Sequence, residues 1–246
     1  MQFNLDKLFF TSDTHFGHTN SIKYDSRPFK DVPEMDAAMI SNWNKVVPTD
    51  GVVFHLGDVG FRSPEDLRNI LDQLNGKIYL IKGNHDKSAV KYPCKDRFEI
   101  IVDYYELMVK EPYGEKHLLC MMHYPMACWN QSHYGLSWNL HGHSHGRFPA
   151  KGKQYDVGVN GNNFTPISYK ELKIIMNEKK PYDQVTQAII DEDDVGDVRR
   201  TRVIDRHDLK TCPTCDSIIK EEPDKECPDC NNKSKDKYCV LCDKNV

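Results

Sequence analysis

Carboxylate, amide and imidazole side chains gather in five short motifs that follow apolar runs in one order. They are Asp13-Thr14-His15, Gly57-Asp58, Gly83-Asn84-His85-Asp86, His123, and Gly142-His143-Ser144-His145. Together they supply the ligands of a two-metal hydrolytic centre. With no thiolate nearby, such donors suit Mn, Fe, Zn, Co or Ni rather than an all-oxygen, calcium-type site. Two divalent ions about 3.5–4 Å apart need one shared anionic ligand, and Asp58 is the natural bridge.

These motifs need a scaffold that brings distant segments to one rim. Strands are expected at Leu8-Phe9-Phe10, Val52 to Leu56, Ile78 to Ile81, Leu118 to Met122 and Ser137 to Leu140. Helices are expected from about Pro33, from Ser63-Pro64-Glu65-Asp66, and from Ser168-Tyr169-Lys170-Glu171, which has capping-box spacing. The β-α-β-α-β order of the first half implies right-handed crossovers and a largely parallel sheet. The strand-rich stretch from Phe98 to Val109 suggests a second sheet packed on the first. In α/β sheets, polar groups at the carboxyl ends of neighbouring strands converge where ligands bind. Asp13 and His15 leave the first strand at a spacing that lets both reach one ion. Asp58 and Asn84-His85 leave the next two after a glycine, His123 ends the fourth, and His143 and His145 leave the fifth.

The motif set D-x-H, G-D, G-N-H-[DE], an isolated H and G-H-x-H resembles the calcineurin-like metallophosphoesterase superfamily over roughly residues 5 to 175. The text around it, such as His15-Phe16-Gly17-His18 and His123-Tyr124-Pro125, is similar to small phage and bacterial members. The resemblance implies an α/β fold of the four-layer type, with two mixed β-sheets stacked between helices. It also implies that Asp13, His15, Asp58 and His145 hold one metal, and Asp58, Asn84, His123 and His143 the other. His85 would face the phosphate as general acid or transition-state stabiliser. Apart from the motif, Asp86 beside it is expected to orient its ring. Hydroxide bound between two metals is a nucleophile at neutral pH, so phosphodiester or phosphomonoester hydrolysis without a covalent intermediate is expected. Small nucleotides, nucleic acid and phosphoproteins compete as substrates. A catalytically silent scaffold would predict a missing ligand or a replaced His85, and neither is seen.

The net charge of −4 argues against a general electrostatic appetite for nucleic acid or membrane. No apolar stretch is long enough to span a bilayer. The N-terminal segment lacks a signal-like core, so the expected location is the cytoplasm, or host cytoplasm if phage-encoded. Composition divides the chain into a phosphoesterase-like domain at 1–180, an acidic linker at 181–205 and a Cys-rich domain at 206–246. Cys212, Cys215, Cys227, Cys230, Cys239 and Cys242 form three Cys-x-x-Cys pairs resembling zinc-ribbon knuckles, so at least one structural zinc is expected. Which four serve stays open. The ribbon could bind a protein or nucleic-acid partner, or guide a nuclease, or be a structural tail. Cys94, Cys120 and Cys128 read as ordinary buried or half-buried thiols.

Three residues are weaker candidates for substrate contact: His18, Arg27 in the loop before the helix near Pro33, and Tyr124 as a pocket wall. His55 and His141 read as scaffold, and His117 and His133 as surface or loop residues.

Overall fold

The computed structural model describes residues 3–112 and 114–181, with two short strands beyond them. The chain divides into two compact units, Met1–Asp194 and Val195–Val246.

In the first unit, β1 (Leu8–Thr11), β2 (Val52–His55), β3 (Lys77–Ile81) and β4 (Phe98–Val102) lie parallel in one sheet. β9 (Ile167–Ser168) adds to the free edge of β1 antiparallel, so this five-stranded sheet is mixed. The second sheet holds β5 (Tyr104–Lys110), β6 (Lys116–Met122), β7 (Ser137–His141) and β8 (Gln154–Asp156). Its β5–β6 pair is antiparallel and its other pairs are parallel. The stretch expected to begin the second sheet is thus split. Phe98–Val102 pairs with β3, and the second sheet starts after the turn at Asp103.

Both faces of β1 are buried, which is why its residues read as an unbroken apolar run. Leu8 and Phe10 meet Phe54, Leu119, Met121, Trp138 and Leu140 between the sheets. Phe9 and Val53 point the other way, onto α2 (Val32–Val46) and α3 (Pro64–Leu71) through Met35, Met39, Trp43, Leu67 and Leu71. Both helices start as their sequences dictate. The side chains of Asp31 and Ser63 accept the N–H groups of Glu34 and Asp66, with proline in the first turn of each. α4 (Tyr169–Glu178) opens with the expected Ser168/Glu171 capping box, and its Leu172 and Met176 join the core between the sheets. The outer face of the second sheet, through Leu118 and Cys120, packs on the loop residues Met126 and Trp129 rather than on a helix. Helices and sheets are therefore present, but among the described residues the helical cover is one-sided. A short α1 (Thr19–Tyr24), not foreseen, follows the first motif.

Cys94 and Cys120 are buried, while Cys128 is exposed, contrary to expectation. No helix among the described residues is long and apolar enough to cross a membrane. In the second unit, β10 (Ile219–Lys220) and β11 (Tyr238–Cys239) pair antiparallel. The acidic linker and the side chains of Cys212, Cys215, Cys227, Cys230, Cys239 and Cys242 lie outside the described residues.

Candidate metal centre

The exits of β1, β2, β3, β6 and β7 meet at one rim. Five of the motif residues there adopt left-handed backbone: Asp13 (φ 57°), His15 (50°), Asp58 (57°), His143 (65°) and His145 (50°). A non-glycine residue in that region carries roughly 1–2 kcal/mol of strain, which persists only where surroundings over-determine it. The surroundings do so here. The N–H groups of Asp13 and His15 donate to the carbonyls of Gly57 (2.9 Å) and Asp58 (3.0 Å), stitching the first two loops together. Gly57 lets them close: a Cβ on it would strike the Gly83 backbone and the His123 ring.

Two sets of side chains result, Asp13/His15/His145 and Asp58/His123/His143. Within each, one donor atom per residue lies within 4.8 Å of the others, as a bound metal ion requires. Asp58 stands between the sets, its Oδ2 3.8 Å from His15 Nε2 and 3.5 Å from His123 Nε2. Asn84 Oδ1 lies 3.1 Å from His123 Nε2. Two rings are pinned from behind. His123 Nδ1–H donates to the Leu56 carbonyl (2.7 Å) and His145 Nδ1–H to Asp25 (2.7 Å). Each Nε2 lone pair is thereby aimed into the site, the arrangement of a metal-ligating histidine. Asp13 Oδ1 is buried with no hydrogen-bond partner among the described residues. A carboxylate oxygen so enclosed is costly alone, and a divalent cation between it, His15 and His145 would satisfy it. The residues therefore fit a pair of divalent ions.

Electrostatics agree. Burial takes His15 down to about 2 against the pull of Asp58, with Arg27, His145 and His18 adding to the fall. Burial alone would raise Asp58, but its hydrogen bond to His123, the charge of that ring and the His85 N–H bring it to about 2. At neutral pH Asp58 is an anion and His15 a free base, the forms that bind metal. Burial would also lower His123 and His145, yet Asp58 and Asp13 raise the first, and Asp13 and Asp25 the second.

The remaining expected residues divide. His85 is exposed over the site, its ring beside Phe61 (4.8 Å between centroids) and His15 (6.1 Å). His18 lines the same cleft, stacked on Phe61 at 3.9 Å, and burial followed by the His85 charge lowers it. Tyr124 reaches Asn84 Oδ1 at 3.5 Å and meets the His143 ring edge-to-face, 4.7 Å between centroids.

Three expectations need correction. Asp86 does not orient the His85 ring. Its buried carboxylate accepts the backbone N–H groups of Asp58 (2.9 Å), Val59 (2.8 Å) and Gly83 (2.7 Å). Arg27 does not face substrate either. Its buried guanidinium donates to the carbonyls of Asp13 (2.8 Å) and Thr14 (2.9 Å) from beneath the first loop. His117 is likewise no loop residue: it lies on β6 with its ring on Trp138 at 4.4 Å.

Sequence reading missed Asp25, Phe61, Arg147 and Asp156. Asp156 accepts Ser144 Oγ (2.6 Å) and the Gly146 N–H (2.9 Å), shaping the last motif's loop. None belongs to a motif, and no spacing signal marks them. A third group, Glu111, Glu115 and His117, is also close-set. There, Lys173 Nζ lies 2.8 Å from Glu111 and 2.6 Å from Glu115, so an ammonium already supplies the positive charge.

Residues 7–147 match the calcineurin-like phosphoesterase family. An uncharacterized protein of Methanocaldococcus jannaschii is 35% identical over 174 residues, 67% of this chain and 88% of that protein. The Gene 66 protein of Mycobacterium phage L5 is 34% identical over 85 residues, 33% of this chain and only 41% of the phage protein. Among solved structures, a protein of unknown function from Aquifex aeolicus superposes with a TM-score of 0.50 at 25% identity, covering 68% of this chain and 98% of that one. The site's five motifs all fall inside the matched span, and the chain belongs to the calcineurin-like phosphoesterase family.

Proposed function

We propose that this chain is a binuclear metal-dependent phosphoesterase, with Asp13, His15, Asp58 and His145 at one ion and Asp58, Asn84, His123 and His143 at the other. The observation that carries it is the position of Asp58 Oδ2, which faces a histidine of each set within 4 Å. Two divalent ions, if held there, would supply a nucleophile from water at neutral pH and offset charge on phosphoryl oxygens. His85 is free to act on the leaving group. Its backbone N–H is anchored to Asp58 Oδ1 (2.8 Å), while its exposed ring reaches over the cleft. From there it can protonate the departing alkoxide. His18, behind it on Phe61, lines the substrate's side of the cleft. Tyr24 and Tyr124, both exposed at this rim, offer faces on which a base can stack, which supports a nucleotide or nucleic-acid substrate. In the tail, the three Cys-x-x-Cys pairs support a structural zinc.

The test is turnover of a chromogenic phosphodiester and phosphomonoester by metal-stripped, Mn-reloaded protein, beside His85→Ala and Asp58→Asn. His85→Ala should keep its metal and lose about 10²–10⁴-fold in kcat. Asp58→Asn should lose both metal and turnover. Full activity in either variant would overturn the assignment.

A further inference from the structure

Asp25 follows α1 immediately, belongs to no motif, and has a side chain only 4% exposed. Its two oxygens are divided between two residues of one loop. Oδ2 accepts His145 Nδ1–H at 2.7 Å, and Oδ1 accepts an N–H of Arg147 at 2.9 Å. Arg27 Nε lies 3.8 Å from Oδ2, so the same carboxylate also meets the guanidinium beneath the first loop. One group thus connects the end of α1, the Gly142–Gly146 loop and the support of Asp13 and Thr14.

His145 needs such a connection. Its backbone is left-handed (φ 50°), and its side chain is the more exposed of those in the Asp13 set. An imidazole with both nitrogens free exchanges tautomers and turns about its χ2 angle. A carboxylate on Nδ1–H holds one tautomer and one orientation, and it raises the basicity of the opposite nitrogen. That nitrogen, Nε2, lies 3.5 Å from Asp13 Oδ1 and 3.3 Å from His15 Nε2.

We propose that Asp25 is a positioning residue that fixes His145 as a ligand of the Asp13/His15 ion, leaving the Asp58/His123/His143 ion independent of it. The proposal rests on the binuclear reading above. Arg147 serves as the internal control. It shares the same carboxylate, yet its side chain is 66% exposed at the cleft mouth and also donates to the Tyr24 carbonyl (2.7 Å). Among the described residues, its hydrogen bonds go to Tyr24, Asp25 and Ser144, none of them in either ligand set.

Metal-free wild type, Asp25→Asn and Arg147→Gln are titrated with Co²⁺, read by calorimetry and by the ligand-field absorption of the bound ion. Asp25→Ser replaces Asp25→Asn should the latter not fold, as judged by a cooperative melt of the metal-free protein. Wild type should bind two ions at nitrogen and oxygen ligands, besides any Co²⁺ taken up by the six tail cysteines, which thiolate charge-transfer absorption in the near ultraviolet marks apart. The Asp25 variant should bind one as wild type does and the other about 10–100-fold more weakly, with an altered absorption band. Arg147→Gln should bind both as wild type. Two undiminished sites in the Asp25 variant, or equal weakening of both, would overturn the positioning role. A wild type that binds fewer than two ions apart from the thiolate-bound Co²⁺ of the tail would overturn the binuclear reading itself, and Asp25's role with it.

Discussion

Beneath the exit of β1 lies a buried cation, and beneath the exits of β2 and β3 lies a buried anion. Arg27 gathers two carbonyls, those of Asp13 and Thr14. Asp86 gathers three amides, those of Asp58, Val59 and Gly83. A loop forced into left-handed backbone turns peptide groups away from their ladder, and a charge of the right sign collects whichever pole is turned inward. The two supports differ in what neutralises them. Arg27 has Asp25 beside it, whereas the charge that acts on Asp86 is that of another carboxylate, Asp58. Burial, aided by Asp58, pushes Asp86 above the usual carboxylate range despite its three N–H bonds. The anion is the more exacting support, because amide donors alone hold it.

Replacing Asp86 should therefore have the larger effect. Asp86→Ala leaves three buried N–H groups without an acceptor and should destabilise the metal-free protein by about 3–5 kcal/mol in urea denaturation. A cost below about 1 kcal/mol would mean that water replaces the carboxylate and that the comparison fails.

Arg27→Met should cost less, about 2–3 kcal/mol. Two charge-assisted bonds disappear, but the desolvated guanidinium goes with them and Met keeps its apolar stem. A variant of full stability with a raised KM would return Arg27 to the substrate.

The smallest effect is a pH dependence that links the two supports. His55 Nε2–H donates to Thr14 Oγ1 (3.0 Å), above Arg27, and its Nδ1 accepts the Gly57 N–H (3.2 Å), beside the loop that Asp86 holds. Complete burial lowers His55 from 6.5 to about 3, against the pull of Asp58. Between those values the unfolded chain binds a proton that the folded chain does not, so stability falls as pH drops through 6.5 toward 3. The contribution between pH 7.5 and 6 is about 1 kcal/mol. It should be missing from His55→Gln when the two proteins are melted side by side, and parallel melting curves across that range would show that His55 titrates normally.

The neutral residue, the cation and the anion were unequally legible. Asp13, His15, Asp58, Asn84, His85, His123, His143 and His145 stand out in the sequence because ligand-type side chains at glycine-flanked strand ends seldom recur five times in order. Most of the strands carrying them were equally plain: β1, β2, β3 and β6 are largely apolar runs with buried residues on both faces, whereas β7 buries polar Ser137, Asn139 and His141 beside Trp138 and Leu140. Arg27 and Asp86 were visible as charges near the motifs, but their partners are backbone groups of other loops, which no spacing in the sequence encodes. Asp25 had no mark at all. It reaches His145 across 120 residues only because α1 ends beside the last loop. β9 was hidden for a related reason: two residues carry no periodicity, and its place on β1 is set by the pairing edge left open there. Sequence alone determined the donor types, their order and the strands that present them, because those are local properties of burial and turn chemistry. The tertiary structure decided which buried charge supports which loop, because a charge surrounded by protein takes as its partner whatever peptide group the fold turns toward it.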